Sequence, residues 1–156
     1  MEKLLKMAVG LEGNSGAIVD HATVHPGLSL GCAAMKRVGP RLAAEAGIEG
    51  GYFPAAATSA PGRGPVGAFV GGGVFVPFST TALLVTLRAS SGYDFSRDDP
   101  YVGAGVNAKI VWESPRSDGS ASLFPFVGLN AGYIWDSAHG GQALLTAGFY
   151  FDLGRS

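Results

Sequence analysis

The feature that most limits what this chain can become is the alternation in Tyr101–Glu113, Tyr-Val-Gly-Ala-Gly-Val-Asn-Ala-Lys-Ile-Val-Trp-Glu. Val102, Ala104, Val106, Ala108, Ile110 and Trp112 are apolar and share one parity. Tyr101, Gly103, Gly105, Asn107, Lys109 and Glu113 share the other, with Val111 the single apolar intruder. Side chains alternate faces along a strand, so this is one strand with a greasy face and a polar or glycine face. It exceeds the usual five or six residues of a soluble strand. It is long enough for the roughly 9–11 residues a tilted strand needs to cross a bilayer.

The pattern recurs. Lys3–Glu12, Gly27–Val38, Leu42–Phe53, Val66–Phe78, Thr81–Phe95, Leu123–Trp135 and Ala143–Leu153 each split into an apolar and a polar or small face. With Tyr101–Glu113 they make eight predicted strands. Even-numbered antiparallel closure with alternating faces is the transmembrane β-barrel rule. The expected fold is therefore all-β, an eight-stranded antiparallel up-and-down transmembrane β-barrel, formed by residues 1–156 as a single domain. Composition agrees: 15% of residues are charged, against about 25% in ordinary soluble domains. Glycine, at 25 of 156, falls mainly on the polar face, where a narrow lumen leaves little room. A net charge of −1 and no clustered basic surface argue against a nucleic-acid partner. No apolar run reaches the roughly 18 residues of a membrane helix. The start, Met-Glu-Lys-Leu-Leu-Lys, lacks the apolar core of a signal peptide and reads as a mature chain whose export signal has been removed.

With the first strand directed from inside to outside, the expected outer loops are 13–25, 54–65, 96–100 and 136–142. Short turns at 39–41 and 79–80 and a polar turn at 114–120 close the inner side. Loop lengths alternate long and short through the first half of the chain, as membrane barrels require, and lose that asymmetry in the second half. Aromatic residues fall at the interfaces: Tyr52, Tyr93, Phe95, Tyr133 and Trp135 at the outer rim, Phe78, Trp112, Phe149 and Phe151 at the inner rim.

The lumen face carries the only charged constellation. Glu45, Glu49, Arg88 and Lys109 point inward near mid-depth, and Lys6, Glu12, Arg37, Asp94 and Glu113 extend the set toward the ends. Charges in a narrow interior must be paired or hydrated. Pairing of Glu45 or Glu49 with Arg88 or Lys109 is the expectation, giving a lumen largely plugged. A narrow channel for ions or small solutes, opened by exchange of pairs, is the alternative.

Catalysis and cofactors are not expected. His21 and His25 are four apart, with Asp20 adjacent, but no cysteine or carboxylate cluster completes a metal set, and loop histidines are read as solvated. Ser137 and His139 are the only hint of a hydrolytic pair, as a lipid A-modifying barrel enzyme would need. Gly71-Gly72-Gly73 lies inside a strand and is no phosphate loop. Cys32 is read as a small apolar residue facing lipid. A soluble lipocalin-like carrier, with the apolar faces turned inward, is the remaining alternative.

The whole chain resembles the small eight-stranded outer-membrane barrels of Gram-negative-type bacteria. That group includes the transmembrane domain of outer-membrane protein A, outer-membrane proteins X and W, and the opacity proteins. Besides architecture, the resemblance rests on the ending Ala147-Gly148-Phe149-Tyr150-Phe151-Asp152-Leu153, whose alternating aromatics are similar to the signal read by the barrel-assembly machinery. Such proteins usually end on that aromatic, whereas Gly154-Arg155-Ser156 follows here. The resemblance implies export, insertion by that machinery, and residence as a monomer in a bacterial outer membrane. Lipid or detergent would surround it, and the outer loops would meet an extracellular ligand or partner.

Overall fold

The computed structural model describes residues 6–21, 23–56, 61–112 and 123–153. They form eight strands: β1 (Met7–Asp20), β2 (Thr23–Arg37), β3 (Leu42–Tyr52), β4 (Pro65–Pro77), β5 (Thr81–Asp94), β6 (Asp99–Trp112), β7 (Leu123–Trp135) and β8 (Gly140–Asp152). Every strand pairs antiparallel with its neighbour in sequence, and β1 also pairs with β8, so the sheet closes without an edge. Following the register from Ala8 through Met35, Glu45, Gly71, Arg88, Gly105, Gly132 and Gln142 returns to β1 at Ile18, ten residues along. That offset is the stagger that tilted strands must accumulate to close a barrel.

The faces are distributed as the alternation requires. Large aliphatic side chains stand on the outside, with Leu30 76%, Leu87 67%, Ile48 65% and Leu145 65% exposed. Charged residues of the opposite parity are buried inside, Glu12 and Glu45 at 3% and Lys109 at 1%. Two aromatic rings border the outer surface. Tyr93 packs edge-on against Phe95 and Tyr133 lies tilted against Trp135 at one end, and Phe149 packs edge-on against Phe151 at the other. Tyr52 and Phe78 are exposed at their rims, and Trp112 ends β6 half-buried.

The lumen is layered. Its inner end is an apolar plug in which Met35, Phe75, Leu84, Val111, Phe124 and Phe126 pack together. Val111 was the intruder on the wet face of β6, and here it belongs to a core. Farther out, Ile18, Phe53, Tyr101, Ile134 and Leu144 make a second apolar layer. The polar face predicted for the whole lumen is therefore polar only between and beyond these layers.

Residues 13–25, expected as a long outer loop, are not one. β1 continues to Asp20 and β2 begins at Thr23, so both strands run through the expected loop. Gly13-Asn14-Ser15-Gly16 has turn composition, but in this barrel small residues serve close approach. A Cβ on Gly16 would lie 2.2 Å from the Ala143 carbonyl oxygen, and Asn14 donates a 3.0 Å hydrogen bond to Ser29 across the β1–β2 ladder. The other outer connections shorten as well, to 95–98 and 136–139, leaving 53–64 as the one long connection at that end. The alternation of loop lengths thus fails. Residues 114–120 and Glu113, and the predicted start of the first strand at residues 3–5, lie outside the described residues.

Candidate functional site

Across the middle of the lumen, four strands deliver one charged side chain each: Glu12 from β1, Glu45 from β3, Arg88 from β5 and Lys109 from β6. Register does this work, since Glu45, Gly71 and Arg88 are successive partners and Gly71 leaves the space through which Arg88 reaches Glu45. Arg88 Nε donates to Glu45 Oε1 at 2.5 Å and Nη2 to Glu45 Oε2 at 3.0 Å, a bidentate fork. Its Nη1 donates to Glu12 Oε1 at 3.0 Å. Lys109 Nζ donates to Glu12 Oε2 at 2.6 Å and to the Tyr150 hydroxyl at 2.9 Å. Thr86 donates to Glu45 at 2.5 Å. Aromatic faces complete the cage, with Arg88 4.0 Å above the Phe69 ring and Lys109 4.6 Å above that of Phe126. Two cations and two carboxylates make the layer neutral.

The remaining predicted lumen charges lie elsewhere. Glu49 faces the lumen outward of this layer and forms no hydrogen bond or ion pair with any described residue. Arg37 is at the inner opening, donating to the Pro40 carbonyl at 2.7 Å and stacking on Phe75 at 4.7 Å. Lys6 is exposed at the same end. Asp94 belongs to a second cluster at the outer mouth.

That outer cluster is centred on Arg63, a residue of the 53–64 connection. Gly62 and Gly64 flank it, and its side chain, 1% exposed, turns into the barrel mouth. Its Nε donates to Asp94 at 3.3 Å and its Nη1 to Asp20 at 3.5 Å, and it pairs with Asp136 through Nη2. Arg97 adds a 2.7 Å bond to Asp20. His25, expected to be solvated, is fully buried with Nε2 3.0 Å from Asp20 Oδ1. Because β1 and β2 run on through the expected loop, their inward parity puts Asp20 and His25 on the lumen face. The same parity count placed Asp94 correctly and would have placed Asp136. Arg63 offered no periodic signal.

Three outer turns hold a non-glycine residue in the left-handed region: His21 (φ 42°), Asp98 (φ 57°) and His139 (φ 43°). Asp and His tolerate that conformation better than most residues. In the last of these turns Asp136 Oδ1 accepts from the backbone N–H of Ala138 at 3.0 Å and of His139 at 2.8 Å, and Asp99 accepts from that of Ser137 at 2.8 Å. Ser137 and His139 are thus held by backbone bonds within a tight reversal. Among the described residues, no three His, Cys, Asp or Glu side chains are grouped so as to hold a metal ion.

The mouth cluster makes a prediction of its own. Arg63→Met should lower the thermal unfolding midpoint in detergent micelles, because three buried aspartates lose their common partner. The cost should fall near the low end of the roughly 3–5 kcal/mol typical of breaking a buried pair, since the mouth can admit water. An unchanged midpoint would mean that the cluster contributes nothing to stability.

No protein-family model matches this chain, and no curated protein matches it. Among solved structures, a chain described as "De novo design of transmembrane beta-barrels" is 17% identical, with 94% of this chain and 95% of that one covered and a TM-score of 0.42.

Proposed function

We propose that this protein is an integral membrane barrel with a closed lumen, in a structural role, seated in a bacterial-type outer membrane and acting as a monomer. The observation that carries the reading is the inverted polarity of the wall. Charges are inside, while Leu28, Leu30, Ile48, Val70, Leu87, Ile110, Leu129 and Leu145 stand exposed on a continuous outer surface. Such a surface far exceeds the few hundred Å2 of apolar patch that a soluble monomer tolerates, and lipid is the solvent that suits it. The aromatic rings at both ends match side chains that prefer the membrane–water interface. A sheet without an edge has no row of unpaired backbone groups to recruit a second chain, which supports the monomer.

The closed lumen distinguishes this reading from the channel. A path along the axis would have to cross Phe75, Phe124 and Phe126, then the Arg88–Glu45 fork, then Arg63 and its aspartates. Eight strands leave an interior that side chains just fill. The outer end offers a partner little beyond short turns and the 53–64 connection, so any surface interaction is assigned to that connection. No catalytic role is proposed for Ser137 or His139.

Two measurements test the proposal. Refolded in micelles, the protein should migrate differently in SDS before and after boiling, as a barrel that resists SDS until heated. In planar bilayers it should give no discrete conductance steps. A chain that stays folded and monomeric in plain buffer would overturn the membrane reading, and reproducible steps would overturn the closed lumen.

A further inference from the structure

Glu49 stands apart from the other charges of the interior. In the central layer Arg88 and Lys109 are matched by Glu45 and Glu12 within hydrogen-bond distance, and Arg63 and Arg97 are committed to the aspartates of the mouth. Glu49 has no such partner, and it lines a small luminal cavity between the ion-pair layer and the outer apolar layer. Ser29, Ser90, Tyr101 and Gln142 line the same cavity. The Ser90 and Tyr101 hydroxyls and the Gln142 amide likewise form no hydrogen bond with any described residue. Phe53, Ile134 and Leu144 close it with apolar surface.

Five strands therefore line one space with five oxygen-bearing side chains, and four of the five form no hydrogen bond with a described residue. Tyr101 is buried, and Glu49, Ser90 and Gln142 are half-buried. Polar groups withdrawn from bulk water are satisfied by ordered solvent or an ion where protein does not serve. The cavity is about 20 Å3, room for about one occupant the size of a water molecule. Glu49 feels Arg88 and Lys109 only at a distance and has no cation in contact. A carboxylate held in a low-dielectric interior without a contacting partner is costly, so an occupant that also brings positive charge meets both needs. Hard cations take oxygen ligands of this kind: carboxylate, hydroxyl and amide carbonyl.

We propose that this cavity is a binding site for a single alkali cation, with Glu49 as the charged ligand and Ser29, Ser90, Tyr101 and Gln142 as neutral oxygen ligands. The cation stabilises the folded barrel by giving Glu49 a positive partner in contact. The inference uses only the interior geometry and does not depend on which bilayer, if any, surrounds the wall.

The test is thermal unfolding of the full chain in nonionic micelles at constant ionic strength, with sodium chloride exchanged for N-methylglucamine chloride. For the wild type the midpoint should rise saturably with sodium, by about 3–6 °C at tenfold saturation. Glu49→Gln should unfold at a midpoint independent of sodium, and Ser90→Ala should need more sodium for the same rise. A wild-type midpoint that is flat in sodium would overturn the site. A sodium response that persists unchanged in Glu49→Gln would overturn it too, since the ion would then bind elsewhere. Loss of the boiled-versus-unboiled shift together with a retained sodium response would count against the membrane proposal alone.

Discussion

Arg88→Met should abolish most of the resistance of the folded barrel to SDS and heat. The substitution keeps bulk over Phe69 but strips Glu45 and Glu12 of the guanidinium that bridges them. Glu12 retains Lys109, whereas Glu45 is left with the Thr86 hydroxyl alone. Removing one member of a buried pair typically costs about 3–5 kcal/mol, because the other charge stays behind without a partner. That is a large part of the roughly 5–15 kcal/mol that keeps a domain folded. The matching rescue distinguishes pairing from packing. Arg88→Met with Glu45→Leu removes one charge of each sign and leaves the Lys109–Glu12 pair neutral. This double variant should recover most of the loss, measured by urea titration in micelles. If it is no more stable than Arg88→Met alone, the destabilisation comes from lost packing around Phe69 and not from the stranded carboxylate.

Gly73→Val should prevent closure outright. Gly73 faces the lumen opposite Thr86, and a Cβ there would lie 1.9 Å from the Val85 carbonyl oxygen and 2.6 Å from the Thr86 Cα. Both obstacles are backbone, so no rotamer change relieves them, and the β4–β5 ladder must separate. The control is its neighbour. Gly72 faces outward, where the nearest atom to an added Cβ is the Ala43 carbonyl oxygen at 3.8 Å. Gly72→Val should therefore fold and keep the gel shift, while Gly73→Val gives only the unfolded band. Equal behaviour of the two would mean that the wall tolerates a side chain at this point of close approach.

The contrast between adjacent glycines shows what the sequence carries. Alternation was readable because the two sides of this wall make opposite demands at every residue, and a slip of one position would exchange them. It placed Glu45, Arg88 and Lys109 on one face and Leu87, Ile110 and Leu145 on the other. It misled at residues 13–25 because glycine, asparagine and serine are the vocabulary both of turns and of a crowded lumen. Parity alone distinguishes these meanings, and it does so only if the strand is assumed to continue. The mouth cluster was half legible, since Asp20, His25, Asp94 and Asp136 have luminal parity. Arg63 was not, since nothing periodic tells a loop side chain which way to turn. Neither could spacing say that Glu49 would be left alone while Glu12 took Lys109, for that choice depends on how ten residues of stagger bring distant strand positions level.

The direct pairing of β1 with β8 has a consequence for how the molecule must assemble. Seven of the eight ladders join strands that are neighbours in the chain, and each can zip from its own turn. The eighth joins Ala8 to Asp152 and Asp20 to Gly140, the most distant partners available. Until that seam is sewn, two strands present bare backbone to whatever is near, and the lumen charges lie open to water on a curved ribbon. Assembly is therefore a race between the seam and the chain's other suitors. Unlike the other seven ladders, the β1–β8 seam has no turn of its own to bring its strands together, so the ribbon must curl before the seam can form.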